Sequence, residues 1–388
     1  LCVVTLGLLN EGQVCKTSSG NYLLCLINGG DSYQDLEHGL NEIINEMDRL
    51  NKIMFGEKKI KIRYYLGGDY HFLLDVMGLD NATSNHPCLW CKAHKRNKHV
   101  KEKDWSMSDP KKGARTVQDI KDNIGKYNCS RTPLFPMIET VDVVVDTLHL
   151  YLRVTDRLLS LLVNECRRQD GIDRAKMKRI HTSSECMKRL EKVLTDSNIY
   201  FKWKTDDKGN LIYPDLRGPE KIKLYQILDI KKLIPNFEKA DKVQELWNLF
   251  NNIICLLRND NPIEKDVTKK LNDWHNLFLE LYPTEQFTPY MHVFIFHVPE
   301  MIKRHGSISH FTMQGLERVN EIMKTSYFKS TNQSKDALLQ LFLKHKRLQY
   351  YIDMKYNREV RSYKCSTCGE EGHNKRCHLI HGEGATPN

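Results

Sequence analysis

The C-terminal part of the sequence carries a cluster of cysteine and histidine residues with the spacing of a metal site. Cys365, Cys368 and His373 follow the pattern Cys-x2-Cys-x4-His, with glycines between the second cysteine and the histidine. Two thiolates on a tight turn and a histidine after a glycine bend can surround one tetrahedral zinc ion. A loop of this size has no core of its own, so metal binding would supply its folding energy. The pattern predicts a zinc knuckle, a module that commonly binds single-stranded nucleic acid.

The fourth ligand of this knuckle is Cys377 in our interpretation. Three residues separate His373 from Cys377, one fewer than in the usual knuckle, so Cys377 would close the site through a strained turn. His378 and His381 are the alternative ligands. The basic residues of this region, which suit a nucleic-acid partner, are Lys364, Lys375 and Arg376.

A second Cys-x-x-Cys pair, Cys88 and Cys91, offers two further candidate metal ligands. Two pairs of histidines could complete this site: the nearby His94 and His99, and the distant His292 and His297. The loop to the nearby pair is very short. The spacing of the distant pair is normal for zinc, but positions i and i+5 do not share one face of an ideal helix, so that pair requires a distorted helix. The distant histidines could also be core residues of an apolar segment, and spacing leaves these alternatives open.

Asp69 and Glu317 are the acidic residues best placed for metal-dependent chemistry. Asp69 follows a predicted strand, and the ends of strands are where α/β folds commonly place their sites. Glu317 lies at the start of a predicted helix, where an acid is also common because it complements the helix dipole. Phosphodiester cleavage by two divalent metals requires several carboxylates. Spacing alone does not bring Asp69 and Glu317 together.

The elements around Asp69 follow an α/β pattern. Residues 2–9 and 22–27 are apolar runs typical of buried strands, and residues 36–50 carry apolar side chains at helical spacing. Residues 60–66 alternate between apolar and polar side chains, which predicts a strand that leads directly to Asp69. This order of strands and helix is typical of α/β folds.

The pattern becomes helical after residue 143. Aromatic and aliphatic stripes over 243–257 and 267–281 predict two helices of a buried core. Residues 167–192 are rich in lysine and arginine and predict one basic helix, either a solvated face or a phosphate-contacting surface. Residues 353–364 are polar and predict a linker.

Composition sets broad limits on the class of protein. The chain has 59 Lys+Arg and 49 Asp+Glu, a net charge of +10, which fits either an ordinary solvated surface or a polyanionic partner. A hydrophobic share of 40% argues against a disordered chain, and no apolar run approaches the roughly 18 residues of a membrane span. Two of the predicted sites use Cys-x-x-Cys pairs with histidines nearby, which indicates zinc rather than disulfides and hence a reducing compartment.

Several of these motifs together resemble the catalytic core of the V(D)J recombinase and of Transib-type transposases. The resemblance covers roughly residues 20–350, with the motifs in the same order and at similar spacing. The motifs are Leu66-Gly-Gly-Asp69, Cys88-Leu-Trp-Cys91, Phe296-His297-Val-Pro-Glu300, Gly306-Ser-Ile, and Glu317 with Asn320. The stretch from Met137 to Val141 and on to Asp146-Thr-Leu-His149 is also similar to that core.

The resemblance implies an RNase H-like fold with an Asp-Asp-Glu active site for two divalent cations, normally magnesium. Asp69 falls on the second Asp of the family and Glu317 on its Glu. A helical insertion of that family is bound by zinc, and its ligands fall on Cys88, Cys91, His292 and His297. The resemblance therefore favours the distant histidines over the nearby pair.

One element of the family pattern has no equivalent in the sequence. The first Asp of the family lies on the first strand of its fold, whereas the strands at 2–9 and 22–27 resemble the second and third strands. We therefore expect a chain truncated at its N-terminus or a decayed copy, whose catalytic centre lacks one carboxylate.

The expected architecture is α/β: an incomplete RNase H-like core with a large zinc-bound α-helical insertion and a small C-terminal zinc knuckle. The expected boundaries are 1–87 for the core, 88–300 for the insertion, 301–352 for the core helices with Glu317, 353–364 for the linker and 365–381 for the knuckle.

The expected function is that of a transposon-derived DNA transposase or recombinase, which binds zinc and nucleic acid. By resemblance it would cut and join DNA with two divalent metals, Mg²⁺ or Mn²⁺. The alternative is a domesticated or degenerate copy that binds nucleic acid without cutting it. A zinc-stabilised interaction protein without a nucleic-acid partner is the third and weakest hypothesis. We expect DNA as the partner, with single-stranded nucleic acid at the knuckle, no membrane, a nuclear location and a homodimer.

Overall fold

The computed structural model describes residues 2–30, 32–50, 54–59, 61–171, 184–207 and 211–356. In these residues the fold is mainly helical, with small two-stranded antiparallel sheets. The strands, which pair in consecutive order, are β1 Cys2–Gly7, β2 Asn21–Ile27, β3 Met54–Phe55, β4 Lys58–Lys59, β5 Lys204–Thr205 and β6 Leu211–Ile212.

The helices of the described residues alternate between long core helices and short connecting turns. The α-helices are α1 Tyr33–Leu50, α2 Tyr70–Val76, α3 Val117–Asp122, α4 Thr147–Gln169, α5 Glu185–Asp196, α6 Gly218–Ile227, α7 Ile230–Leu233, α8 Ala240–Leu257, α9 Glu264–Leu281, α10 Pro289–His292, α11 Val298–His305, α12 Gln314–Ser330 and α13 Ala337–Tyr356. A π-helical turn, Val293–His297, joins α10 to α11. The 3-10 turns are Leu9–Lys16, Lys101–Lys103, Pro110–Lys112, Thr140–Asp142, Thr284–Gln286 and Ser309–Phe311.

The two strands and the helix predicted at the start of the chain are present. The β1 strand pairs with β2 from Cys2 opposite Ile27 to Gly7 opposite Asn21, with one irregularity in register. The α1 helix then places Leu36 and Leu40 fully in the core. The hydroxyl of Ser32 accepts a hydrogen bond from the amide of Asp35, which is the contact of an N-cap.

The strand predicted over 60–66 is wrong for the residues that the structure describes. Residues 61–65 have no ladder partner, and only Leu66 forms an isolated parallel bridge, to Val143. The alternating pattern creates a two-faced segment, but a strand also needs a neighbouring chain along its length. Here the neighbour is the short segment 142–144: the amide of Leu66 donates to the carbonyl of Asp142 at 3.1 Å, and the amide of Val144 donates to the carbonyl of Leu66 at 2.9 Å. The described fold is therefore mainly helical rather than built on the predicted α/β sheet.

The aromatic stripes predicted to form core do so. Trp247 and Phe250 on α8 and Trp274 and Phe278 on α9 are all buried, and these two helices pack against each other. The long helix α4 contacts α5, α6, α8 and α10, so it runs through the centre of this helical part.

The single basic helix predicted over 167–192 is also wrong. The α4 helix ends at Gln169, Gly171 follows with a positive φ of 68°, and α5 begins at Glu185. Asp170 is the C-cap of α4, and its carboxylate accepts hydrogen bonds from the amides of Cys186 and Met187, at 2.9 and 3.0 Å, which caps the first turn of α5. Arg167 and Arg168 thus lie on α4, and Lys188, Arg189 and Lys192 lie on α5. Residues 172–183, which carry the other basic side chains, lie outside the described ranges.

The predicted linker begins too early, since α13 continues to Tyr356. The knuckle ligands Cys365, Cys368, His373 and Cys377 lie outside the described residues, so the knuckle stays a prediction. No helix in the described ranges is both long and apolar enough to cross a membrane.

Candidate metal centre

Four side chains from two distant parts of the chain meet in a buried cluster: Cys88, Cys91, His292 and His297. The Sγ atom of Cys88 lies 3.3 Å from Nε2 of His297, and the Sγ atom of Cys91 lies 3.2 Å from Nε2 of His292. All four ligand atoms lie within 4.8 Å of one another. Tetrahedral zinc with ordinary Zn–S and Zn–N bonds would separate such sulfur and nitrogen atoms by about 3.5 Å. The cluster therefore fits one zinc ion.

The cysteine pair lies on a loop that a short stretch of backbone holds in place. The amide of Lys92 donates to the carbonyl of Gly113 at 2.8 Å, and the amide of Arg115 donates to the carbonyl of Trp90 at 2.9 Å. The indole of Trp90, which is fully buried between the two cysteines, donates to the carbonyl of Val143 at 2.8 Å. These bonds turn both sulfur atoms toward the core.

The histidine pair shares one face of its helix because that helix changes geometry between them. On an α-helix, residues five apart point about 140° away from each other. The segment Val293–His297 is π-helical instead, and the amide of Val298 donates to the carbonyl of Val293, five residues earlier. The distortion that the spacing requires for this pair is therefore present, and such π turns often occur at functional sites.

The second ring nitrogens of the two histidines have different surroundings. Nδ1 of His292 lies 2.7 Å from the carbonyl oxygen of Lys98, which fixes Nδ1 as the donor and leaves Nε2 free to bind a metal. Nδ1 of His297 is buried and has no hydrogen-bond partner in the described part of the chain. In both rings Nε2 is the nitrogen that lies beside a cysteine sulfur atom.

The pKa values of the two thiols are shifted in opposite directions. Burial raises the pKa of Cys91 well above its ordinary value. Burial acts in the same direction on Cys88, but the hydrogen bond from Cys91 and the nearby imidazoles of His297 and His292 outweigh it and lower its pKa. The pair thus readily supplies a first thiolate, which is the form of cysteine that binds metal.

The nearby histidines do not take part in this cluster. The ring of His94 packs edge-on against His86, at 5.1 Å between centroids, and the ring of His99 faces Phe287 at 6.4 Å. The structure therefore joins Cys88 and Cys91 to the distant histidine pair.

Asp69 and Glu317 line one open groove of about 820 Å³. Asp69 precedes α2 and caps it, since its Oδ1 accepts from the amide of Phe72 at 2.9 Å. Glu317 lies in the first turn of α12, with about half of its side chain exposed. Gly315 lets α12 approach the N-terminal hairpin, because a Cβ atom there would lie 2.6 Å from the carbonyl oxygen of Thr17. The structure thus places on one groove two acids that sequence spacing could not relate.

Asp146 and His149 also belong to this region, although sequence reasoning gave them no role. Asp146 is buried and accepts hydrogen bonds from the amides of His149, at 2.9 Å, and of Met313, at 2.8 Å. Nδ1 of His149 contacts the same carboxylate, and its Nε2 lies 3.9 Å from Oε1 of Glu317. Burial would lower the pKa of His149, but Asp146, Glu317 and Asp69 outweigh it and raise that pKa. The spacing Asp-x-x-His at a helix start is the signal that could have found this pair.

Comparisons with known proteins do not identify the chain. No protein-family model matches the sequence, and no curated protein is significantly similar to it.

Proposed function

We propose that this chain is a zinc-stabilised, nucleic-acid-binding protein of the transposase and recombinase type, with an incomplete RNase H-like core. The observation that carries the proposal is that Cys88 and Cys91 lie in one buried cluster with His292 and His297. Residue spacing left the choice of histidines open, whereas the resemblance to the V(D)J recombinase and Transib-type transposases favours this distant pair. Zinc in this cluster would be structural, because four protein ligands leave no open position.

The groove supports the catalytic part of the proposal. Asp69 and Glu317 both line it, as the Asp-Asp-Glu resemblance requires, and Asn320 faces it one turn after Glu317. Mg²⁺ or Mn²⁺ bound at such carboxylates would activate water for cutting DNA and stabilise the leaving oxygen. In the chain itself, Asp146 anchors Met313 at the start of α12 and thereby orients Glu317 toward the groove.

The alternative, a copy that binds nucleic acid without cutting it, is favoured by the carboxylate count. Among the described residues that line the groove, the acids are Asp69 and Glu317. Both also have ordinary structural roles, one as an N-cap and one in the first turn of a helix. Two-metal cleavage requires more than these two carboxylates. The non-catalytic form of the proposal does not require them.

The nucleic-acid part of the proposal rests on charge and on the predicted knuckle. A net charge of +10 suits a polyanionic partner, and Cys365, Cys368, His373 and Cys377 would form a second zinc site that binds single strands. DNA as the partner, a nuclear location and a homodimer follow from the resemblance and are part of the proposal.

The first test measures zinc content and nucleic-acid affinity of the full chain. We expect two zinc ions per chain. We also expect the logarithm of the DNA-binding constant to fall linearly with the logarithm of the salt concentration. Deleting residues 362–388 should remove one zinc ion and weaken single-strand binding. Absence of DNA binding at low salt would contradict the proposal and favour an interaction protein.

The second test separates the catalytic form from the non-catalytic one. DNA nicking would be measured in Mg²⁺ and in Mn²⁺ for the full chain and for Asp69→Asn and Glu317→Gln. Glu321→Gln is the matched control, because Glu321 lies one turn further along α12 and pairs with Arg318. Nicking that both site variants abolish and the control retains supports catalysis, whereas DNA binding without nicking supports the alternative.

A further inference from the structure

We propose that Arg115 is a positioning residue, which holds the Cys88–Cys91 loop in its ligating conformation and thereby sets how slowly zinc is released. The inference rests on the proposed zinc site. The hydrogen bonds of Arg115 to Cys88 and Cys91 go to their backbone carbonyls and not to the sulfur atoms that would bind zinc. Its evidence is a set of contacts that converge on one side chain.

The guanidinium of Arg115 joins both cysteines through their backbone. Its Nε donates to the carbonyl oxygens of Cys88 and Cys91, each at 3.1 Å. One side chain therefore fixes the start and the end of the Cys-x-x-Cys turn. The backbone amide of the same residue donates to the carbonyl of Trp90, inside that turn. Arg115 thus holds the turn that carries both sulfur atoms, through its side chain and through its backbone amide.

The other nitrogens of the guanidinium anchor it to a second loop. Nη2 donates to the carbonyl of Tyr127 at 2.7 Å, and Nη1 donates to the sulfur atom of Cys129 at 3.3 Å. Arginine has a planar fork of donors that can serve two loops at once. The ligand loop is therefore tied to residues 127–129 through a rigid group rather than through a flexible one.

The charged side chain of Arg115 is buried among neutral hydrogen-bond acceptors. Its side chain is fully buried, with 0% exposed, and charged side chains are almost never fully buried unless they are paired. The hydrogen bonds of the guanidinium, as the described residues make them, go to carbonyl oxygens and to sulfur, not to a carboxylate. Groups that orient metal ligands from the next layer commonly affect metal affinity by about 10- to 100-fold when they are changed.

The test compares Arg115→Lys and Arg115→Met with the unaltered chain. Arg115→Lys keeps the charge but loses the planar fork, and Arg115→Met keeps the apolar stem alone. We expect both variants to release zinc to an excess of a chromogenic chelator about 10- to 100-fold faster. Their cobalt complexes should keep the sulfur-to-cobalt charge-transfer band, because all four ligands remain.

The matched control is Leu190→Ala, which removes a fully buried side chain of α5. It destabilises the core without touching the ligand loop, so its zinc release should equal that of the unaltered chain. Folded Arg115 variants that release zinc at the unaltered rate would overturn the proposal. Equal acceleration by Leu190→Ala would do the same, because release would then follow stability alone. A failure of the unaltered chain to bind zinc at this cluster would instead contradict the proposed function.

A measurement on the unaltered chain accompanies the variants, because loss of a buried charged side chain can prevent folding. Hydrogen exchange would be followed for the amides of Lys92 and Arg115, which bond to Gly113 and Trp90. If Arg115 holds the loop, these amides stay protected in the zinc-free chain while it remains folded. Rapid exchange at both amides in the folded zinc-free chain overturns the proposal.

Discussion

The imidazole rings of His292 and His297 lie 4.9 Å apart, centroid to centroid, at an angle of 78°. Two residues separated by five positions reach this arrangement because a π-helical turn lies between them. The proline that follows, Pro299, has no amide hydrogen to donate to the carbonyl of Ile295, so the α-helical bond at this point cannot form. The position of Pro299 is therefore consistent with a π-helical turn rather than an α-helical one at this point.

Replacing Pro299 with alanine should weaken zinc binding. Alanine supplies the missing amide donor and favours the ordinary α-helical path, which would turn His297 away from Cys88. We expect zinc affinity to fall about 10-fold, the lower end of the effect of misplacing a ligand, as measured by competition with a chelator. Pro289→Ala is the control, since Pro289 lies in the first turn of α10, where a proline leaves no bond unmade. Equal affinity of Pro299→Ala and the unaltered chain would show that the π turn does not depend on this proline.

Replacing Cys91 with serine should remove the buried zinc and lower the melting temperature. The cluster joins parts of the chain 201 residues apart, so its loss frees the helical part from the Cys88–Cys91 loop. Zinc content by elemental analysis and a thermal melt measure both effects, and chelation should produce the same melt. Cys255→Ser, at an exposed cysteine, is the control. Unchanged zinc content and melting temperature in Cys91→Ser would refute the four-ligand site.

Replacing Asp146 with asparagine should destabilise the groove wall. The buried carboxylate accepts from the amides of Leu148, His149 and Met313, and an amide side chain cannot accept all of them. We expect a loss of about 1–3 kcal/mol in the free energy of unfolding, the usual cost of unmet buried hydrogen bonds. Asp241→Asn, at an exposed acid, should stay within about 0.5 kcal/mol. Equal denaturation midpoints for the two variants would contradict the role assigned to Asp146.

Stability should fall as pH drops from about 6.5 to 4 because of His275. This side chain is fully buried beside Phe287 and Phe296, and burial lowers its pKa to about 4. In that window the unfolded chain binds a proton at His275 that the folded chain does not, so acid favours unfolding, by on the order of 3 kcal/mol at pH 4.

The measurement is urea denaturation against pH at saturating zinc. His275→Gln should reduce the pH slope in that window, whereas His38→Gln, at an exposed histidine, should leave it unchanged. Parallel slopes for His275→Gln and the unaltered chain would mean that His275 titrates normally in the folded state.

The sequence predicted local elements better than it predicted their partners. The hairpin strands, the α1 helix and the aromatic stripes of α8 and α9 depend on periodicity and are present. The predicted strand at 60–66 needed a neighbouring strand, and only Leu66 forms a bridge. The predicted basic helix is interrupted where Asp170 contacts the first turn of α5. Both errors concern contacts that periodicity does not report.

The candidate site shows the same division. Spacing indicated that Cys88 and Cys91 bind metal, but the choice of His292 and His297 came from the resemblance, and the structure brings that set together. Asp146 contacts Met313 across 167 positions, and Arg115 has no neighbour in sequence that marks it. The contacts that give Asp146 and Arg115 their roles form only when the chain is folded.

The distance along the chain between the two halves of the metal cluster has a consequence for a cleaved protein. A cut in the exposed connection between α8 and α9 would leave one fragment with both thiolates and another with both imidazoles. Neither fragment alone could complete a tetrahedral site, yet the pair could share one ion. Zinc would then link the two halves of a cleaved chain, in addition to the buried aromatic contacts between α8 and α9.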